Sequence, residues 1–277
     1  MQRRFSLAHM TVMNCAPPDM TYLAARAGYD CVSFRFIPLG IPGEPRYLPG
    51  DKAMLRQTKA ALAATGLTML DVEVARIVTD VDPKSYLPGM EAAAELGAHH
   101  VISSAWTTDR SDRNFLVDCF GRLCDLAAPL GLTVDLEFPI VSRLTSLAEA
   151  ADVVRAANRR NGGVMVDTLY MHFPHTPLAE LDTLPRDWFH MAHLCDAPKE
   201  VPTTREGLVH IMRDERLYVG EGAIDIAGIL DHMPPVPCSI ELPHLRRVAE
   251  YGYEEHARRC LQTAKRYLES RQTPVAA

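Results

Sequence analysis

The chain has 277 residues, 47% of them hydrophobic and 23% charged, with 29 Lys+Arg against 35 Asp+Glu and a formal net charge of −6. Such a length buries about three quarters of its unfolded surface without needing disulfides or a structural metal. The balance lacks the basic excess of a general nucleic-acid binder, and no apolar stretch approaches the roughly 18 residues of a membrane span, so neither nucleic acid nor membrane is expected as a partner.

The first ten residues, MQRRFSLAHM, hold a broken apolar run without a cleavage-site pattern and do not read as a signal peptide. Strands are predicted at Phe5–Val12, Asp30–Phe36, Thr68–Val74, His99–Ser103, Thr133–Phe138, Val164–Leu169, Trp188–Leu194 and Pro237–Leu242. Between them fall helices at Asp19–Ala27, Asp51–Thr65, Pro83–Leu96, Asp112–Pro129, Ser146–Arg160, a short one near Leu178, Ile224–His232 and Glu250–Leu268. Asp19 is a candidate cap for the first helix and Gly28 its end; Gly66 and Gly97 follow the second and third, and Pro83 suits a first helical position.

Eight strand-then-helix units in a chain of this size most economically make one (β/α)₈ TIM barrel over residues 1–269, with a flexible tail at 270–277. A doubly wound open sheet comes second, since nothing after the first strand resembles GxGxxG. The seven cysteines (15, 31, 119, 124, 195, 238 and 260) are odd in number and lack CxxC or CxxH spacing. They point to free thiols in a reducing compartment, and so to a cytoplasmic protein.

Two loops stand out: Ile37–Pro49, rich in proline and glycine, and the charged segment Asp196–Gly222. Both follow strand C-terminal ends, the catalytic face of a barrel. At that face the fifth to eighth strands each carry a polar side chain: Glu137 in TVDLEF, Asp167 in GVMVD, His193 in FHMAHLCD and Glu241 in CSIEL. Burial there is costly unless the group is paired or metal-bound. Three carboxylates and an imidazole on neighbouring strand ends suit one divalent ion, with Mn²⁺, Mg²⁺ or Co²⁺ favoured and Zn²⁺ less natural without thiolates.

The segments LTVDLEF, NGGVMVDTLYMHF, MAHLCDA, RDERLYVGEG, CSIELPH and YGYEEHARRCLQTAKRYL resemble the sugar phosphate isomerase/epimerase superfamily, the xylose isomerase-like TIM barrels, over essentially the whole chain. That superfamily includes ketose 3-epimerases, inosose dehydratases, 3-dehydroshikimate dehydratases and endonuclease IV. The resemblance implies a Glu–Asp–His–Glu metal quartet at Glu137, Asp167, His193 and Glu241. In the epimerases the two glutamates also serve as acid and base on opposite sides of the substrate. Two subgroup marks differ: Tyr170 stands where ketose 3-epimerases usually carry His three residues after the metal Asp, with His172 two further on, and Pro139 where bacterial-type dehydroshikimate dehydratases tend to have His. The further ligands of a three-zinc endonuclease are not found.

Arg216, before the Gly220–Gly222 turn, resembles the family's seventh-loop arginine that reaches over the metal to a substrate oxygen. Arg35 in VSFRF needs a partner, and Glu73 in DVEVAR is the obvious one; the pair either touches substrate or plugs the barrel. His9 ends the first strand and is a candidate to line the pocket. Arg205 and Arg213 are weaker candidates than Arg216. His99, His100, His190 and His244 read as structural or surface residues. The leading expectation is a metal-dependent isomerase or epimerase of a small polyhydroxy ketone, acting through an enediolate with Glu137 and Glu241 moving the proton. A dehydratase of an inosose- or dehydroshikimate-like substrate, and a non-catalytic metal-binding subunit, remain as alternatives. Homo-oligomerisation is left open. A catalytic member should hold both glutamates across an open site, whereas in a binding subunit the seventh loop would close it or His193 would point away.

Overall fold

The computed structural model describes residues 3–40, 44–107 and 112–272. Their strands are β1 (Phe5–Ala8), β2 (Cys31–Phe34), β3 (Thr68–Ile77), β4 (His100–Ala105), β5 (Thr133–Glu137), β6 (Gly162–Val164), β7 (Val166–Asp167), β8 (Ala192–Leu194) and β9 (Cys238–Ile240). All pair in parallel in the order β6-β5-β4-β3-β2-β1-β9-β8-β7. The two ends of that order are one run of chain interrupted at Met165, so the barrel closes through its own sixth strand: β6 pairs with β5, and β7 with β8.

Strand alternation divides the residues between two cores. Phe5, Leu7, Val32, Phe34, Val134, Leu136, Val164 and Ile240 point outward into the large apolar shell shared with the helices. Cys31, Leu70, Ile102, Met165 and Met191 form a separate cluster inside the barrel. In β3 the register slips between the pairs Val32↔Met69 and Phe34↔Val72. Ser33 therefore stands opposite both Leu70 and Asp71, a β-bulge, and the Ser33 hydroxyl donates to the Asp71 carboxylate inside the barrel.

The helices are α1 (Pro17–Ala27), α2 (Lys52–Thr65), α3 (Leu87–Glu95), α4 (Arg113–Ala127), α5 (Leu147–Ala157), α6 (Thr168–His172), α7 (Arg205–Asp214), α8 (Ile226–Asp231) and α9 (Leu245–Gln272). Asp51, Asp112 and Ser146 cap their helices by accepting backbone N–H groups. Gly28 and Gly66 end α1 and α2 at φ of +92° and +74°, a conformation costly to residues with a Cβ.

Several boundaries differ from expectation. The first strand stops at Ala8, and His9–Val12 turn into a 3₁₀ helix. α1 starts at Pro17, so Asp19 lies inside its first turn and does not cap it. The seventh predicted strand is only Ala192–Leu194, because Arg186–Trp188 form a 3₁₀ turn. The segment read as the loop Asp196–Gly222 contains α7, started by the Thr204 hydroxyl. α9 begins earlier than predicted and is broken at Gly252 (φ +75°). It also takes in Ser270–Gln272, placed in the tail above, while residues 273–277 lie outside the described residues. All seven cysteines are free thiols. Among the described residues no helix is long and apolar enough to cross a membrane.

Candidate metal centre and cleft

Glu137 closes β5, Asp167 closes β7, His193 sits within β8 and Glu241 immediately follows β9. Inward-facing positions on four neighbouring strand ends bring one ligand atom from each within 4.8 Å of the others, and all four residues are buried. Asp167 Oδ1 accepts the Leu169 N–H at 2.8 Å as the cap of α6, which fixes the carboxylate against the barrel. His193 Nδ1 lies 3.5 Å from Glu241 Oε2 and 3.8 Å from Glu137 Oε1. Neither contact makes a hydrogen bond, so both ring nitrogens are buried without a partner. A buried imidazole with two orphaned nitrogens amid three carboxylates fits a divalent cation, which takes one nitrogen as ligand.

Arg216 turns inward and is fully buried. Nη1 donates to Asp167 Oδ2 at 2.8 Å and to the Glu241 carbonyl at 3.0 Å, Nη2 pairs with Glu241 Oε2 at 2.8 Å, and Nε donates to the Met212 carbonyl at 2.9 Å. The expectation of an arginine reaching over the metal is therefore corrected: Arg216 braces two of the quartet's carboxylates from behind. It arrives there because its own N–H bonds Pro243 O at 3.1 Å and because Asp196 organises the following turn. The buried Asp196 carboxylate accepts four backbone N–H groups, from Ala197, Gly220, Gly222 and Ile224, at 2.8–3.0 Å.

Arg35 and Glu73 form the expected ion pair, Nη2 to Oε2 at 2.8 Å. Arg35 Nε and Glu73 Oε1 are buried without partners, leaving one donor and one acceptor available in the cleft. His9 does not line the cleft, correcting that expectation. Its Nδ1 accepts the Arg35 N–H at 3.0 Å, its Nε2 lies 2.9 Å from Cys15 O, and its ring stacks on Tyr47. It thus positions the Arg35 backbone from one layer away.

The cleft itself is bounded by Glu137, His193, Glu241, Arg35 and Glu73 together with Trp106, Tyr170 and Arg213. It adjoins an outer cavity that shares Met10, Arg35, Leu39 and Arg213. Trp106 gives no sign in the sequence, Tyr170 stands out there only as a departure from the ketose 3-epimerase pattern, and Arg213 only as a weaker candidate than Arg216. The signal for Arg213 is the amphipathic helix α7, whose last turn carries it to the mouth. His172 lies 3.2 Å from Pro198 O through Nε2 and does not bound the cleft.

Four carboxylates (Glu73, Glu137, Asp167, Glu241) meet three guanidiniums (Arg35, Arg216 and, at the mouth, Arg213), which leaves a deficit of positive charge. The titration pattern answers this deficit. Burial, then the charge of Glu241, pushes the Glu137 carboxyl well up. Burial alone would lower His193, yet Glu241 and the other carboxylates push it up to about 10. Against burial, Arg216 and then His193 hold the Glu241 carboxyl below its ordinary range. Asp71, one layer down, is pushed well up by burial and then by Glu73.

Residues 22–263 match the model of the xylose isomerase-like TIM barrel family. The chain belongs to that family. Among curated relatives it is 25% identical over 185 residues to a protein named inosose isomerase from Bacillus subtilis (strain 168), covering 64% of each chain, so it spans a little under two thirds of that relative's length. Among solved structures it is similar to an IolI protein with a bound zinc atom (TM-score 0.78, 18% identity, 96% of this chain and 98% of that one). It also resembles D-allulose 3-epimerase from Methylomonas sp. (TM-score 0.67, 19% identity, 96% and 98% coverage). At these identities the structural likenesses establish the family's fold.

Proposed function

We propose that this chain is a divalent-metal-dependent isomerase or epimerase of a small polyhydroxy ketone, of the inosose or ketose kind, working in the cytoplasm. The observation that carries the reading is the pair of buried glutamates, Glu137 and Glu241, both bounding an open cleft with the unpartnered His193 between them. His193 lines that cleft, with Met212 and Arg213 of the seventh-loop segment at its border, which favours catalysis over a non-catalytic subunit. The relative named inosose isomerase supports the substrate class.

Glu137, Asp167, His193 and Glu241 would hold the metal. Their oxygen-rich set suits Mn²⁺, Mg²⁺ or Co²⁺, and the zinc of the IolI neighbour keeps Zn²⁺ in the comparison. When bound, the metal would supply Lewis acidity to a carbonyl and a neighbouring hydroxyl, acidifying the C–H of the hydroxyl-bearing carbon. One glutamate then takes the carbon-bound proton and the other returns one. Arg35 Nε offers a donor to a substrate oxygen, Glu73 Oε1 accepts from a hydroxyl, and Trp106 and Tyr170 wall the cleft.

Exchange of the substrate's carbon-bound proton in D₂O, followed by NMR with inososes and ketoses and each metal in turn, tests this. Glu241→Gln and Glu137→Gln, with metal retention measured alongside, should each slow exchange at least about 100-fold, as loss of general acid–base catalysis requires. Persistence of exchange in both metallated variants would overturn the assignment.

A further inference from the structure

The opposite mouth of the barrel holds a second convergence of metal-ligating side chains. His100 begins β4, Asp135 lies two residues before Glu137 on β5, and His190 precedes β8. One ligand atom from each lies within 4.8 Å of the others. Asp135 is fully buried. His190 Nδ1 lies 2.5 Å from its Oδ1, while His100 Nδ1 lies 3.9 Å from Oδ2 and 2.8 Å from Thr133 Oγ1. The two imidazoles stack with centroids 5.7 Å apart. Their side chains are 13% and 18% exposed, so a hydrated ion can reach them from outside the barrel.

Two observations suggest more than a hydrogen-bonded plug. Gly163 on β6 lies against the cluster, and a Cβ there would strike the Trp188 carbonyl oxygen and sit 2.7 Å from Asp135 Oδ1 and 2.8 Å from His190 Cε1. Glycine therefore lets the backbone before β8 close on β6 and leaves Asp135 and His190 in contact. The cluster also lies over the weakest seam of the sheet, where β6 has three residues, β7 has two, and the sixth strand breaks at Met165. A bond network joining β4, β5 and the entry to β8 crosses that seam. Cys31, Leu70, Ile102, Met165 and Met191 form the apolar layer inside the barrel, while the Glu137–Asp167–His193–Glu241 group lies at the strand C-terminal ends.

We propose that His100, Asp135 and His190 form a second divalent-cation site, structural in role, at the N-terminal mouth of the barrel. Two imidazoles and one carboxylate make a borderline-soft donor set that selects Zn²⁺ or Co²⁺ over Mg²⁺, Ca²⁺ and Mn²⁺. Three protein ligands leave a fourth position for water beside the Thr133 hydroxyl. The site's occupancy is independent of the cleft above and of any reaction there.

The test is equilibrium dialysis of the full chain against Zn²⁺, with metal and protein quantified, for wild type, His190→Gln and His100→Gln. Wild type should retain one more equivalent of zinc than either variant, and zinc should raise its melting temperature more than theirs. The difference of one equivalent is expected whether or not the upper quartet fills, so failure of that site does not imitate failure of this one. Equal zinc content in wild type and both variants would overturn the proposal. Circular dichroism checks the fold, and should His190→Gln not fold, His100→Gln decides, since a glutamine amide can keep the bond to Thr133.

Discussion

Replacing Arg216 by Met would test whether a buried cation behind the quartet holds the barrel's upper end together. The substitution leaves Asp167 Oδ2 and Glu241 Oε2, each 2.8 Å from the guanidinium, without their counter-charge, and strands the carbonyls of Met212 and Glu241. Removing one partner of a fully buried ion pair costs about 3–5 kcal/mol. For a domain of this size each kcal/mol moves the melting temperature by roughly 2–4 °C, so metal-free Arg216→Met should melt about 10 °C below wild type. Arg216→Lys, a point charge without the planar fork, should fall between the two. Added Mn²⁺ should raise the melting temperature of Arg216→Met more than that of wild type, because the ion replaces the missing positive charge on the same two carboxylates. Thermal unfolding followed by circular dichroism, with EDTA and with excess Mn²⁺, reads both effects. A metal-free variant melting within about 2 °C of wild type would refute the reasoning.

Two further predictions concern protons. Without metal, the surrounding carboxylates push His193 up to about 10, and burial and then Glu241 push the Glu137 carboxyl up. Binding of a divalent ion near neutral pH should therefore release at least about one proton, from His193, measured by calorimetry in buffers of different ionisation enthalpy; release near zero would show that the imidazole is already neutral. His9 is pulled down to about 4 by burial. Its neutral folded form contributes stability fully above its unfolded pKa of about 6.5, and loses that contribution as pH falls from there towards 4. His9→Gln should remove up to about 1.4 kcal/mol per pH unit from the slope of unfolding free energy in that window, read by urea titration at constant ionic strength; an unchanged slope would show that the ring is not held neutral.

The barrel and the quartet were legible because each rests on a local pattern. Apolar β-rich runs alternating with capped helices imply strand–helix units, and Glu137, Asp167, His193 and Glu241 each interrupt such a run near its C-terminal end. The position of Arg216 was not legible, because it depends on contacts distant in sequence. Asp196 gathers amides from as far as Ile224, and the Arg216 N–H meets Pro243 O. An arginine in a charged loop shows none of that in its neighbours. His9 was misplaced for a related reason: the strand ends at Ala8, and the grip of Cys15 O and Arg35 N on its ring follows from a turn that apolar alternation does not reveal. Arg213 is hidden for the same reason: the charged run Asp196–Gly222 gives little sign of the helix that carries it to the cleft.

The lower cluster was missed for a different reason, one inherent in the alternation itself. Asp135 and Glu137 stand two apart in TVDLEF, so whatever register turns Glu137 into the barrel turns Asp135 in as well, about 6.6 Å lower along the strand axis. The same step separates Ser33 from Arg35, Asp71 from Glu73 and Ser239 from Glu241. Looking only for polar residues at strand C-terminal ends selects the upper member of each pair and treats the lower one as interior filling. Of the lower members, Ser33 and Asp71 bond each other. Asp135 instead meets His190, with His100 close by, beside Gly163, where a Cβ would strike the Trp188 carbonyl, Asp135 and His190. A strand that must place a carboxylate at the upper mouth thus carries a second inward position in its sequence, and in β5 that position also bears a carboxylate, within reach of two histidines at the opposite mouth.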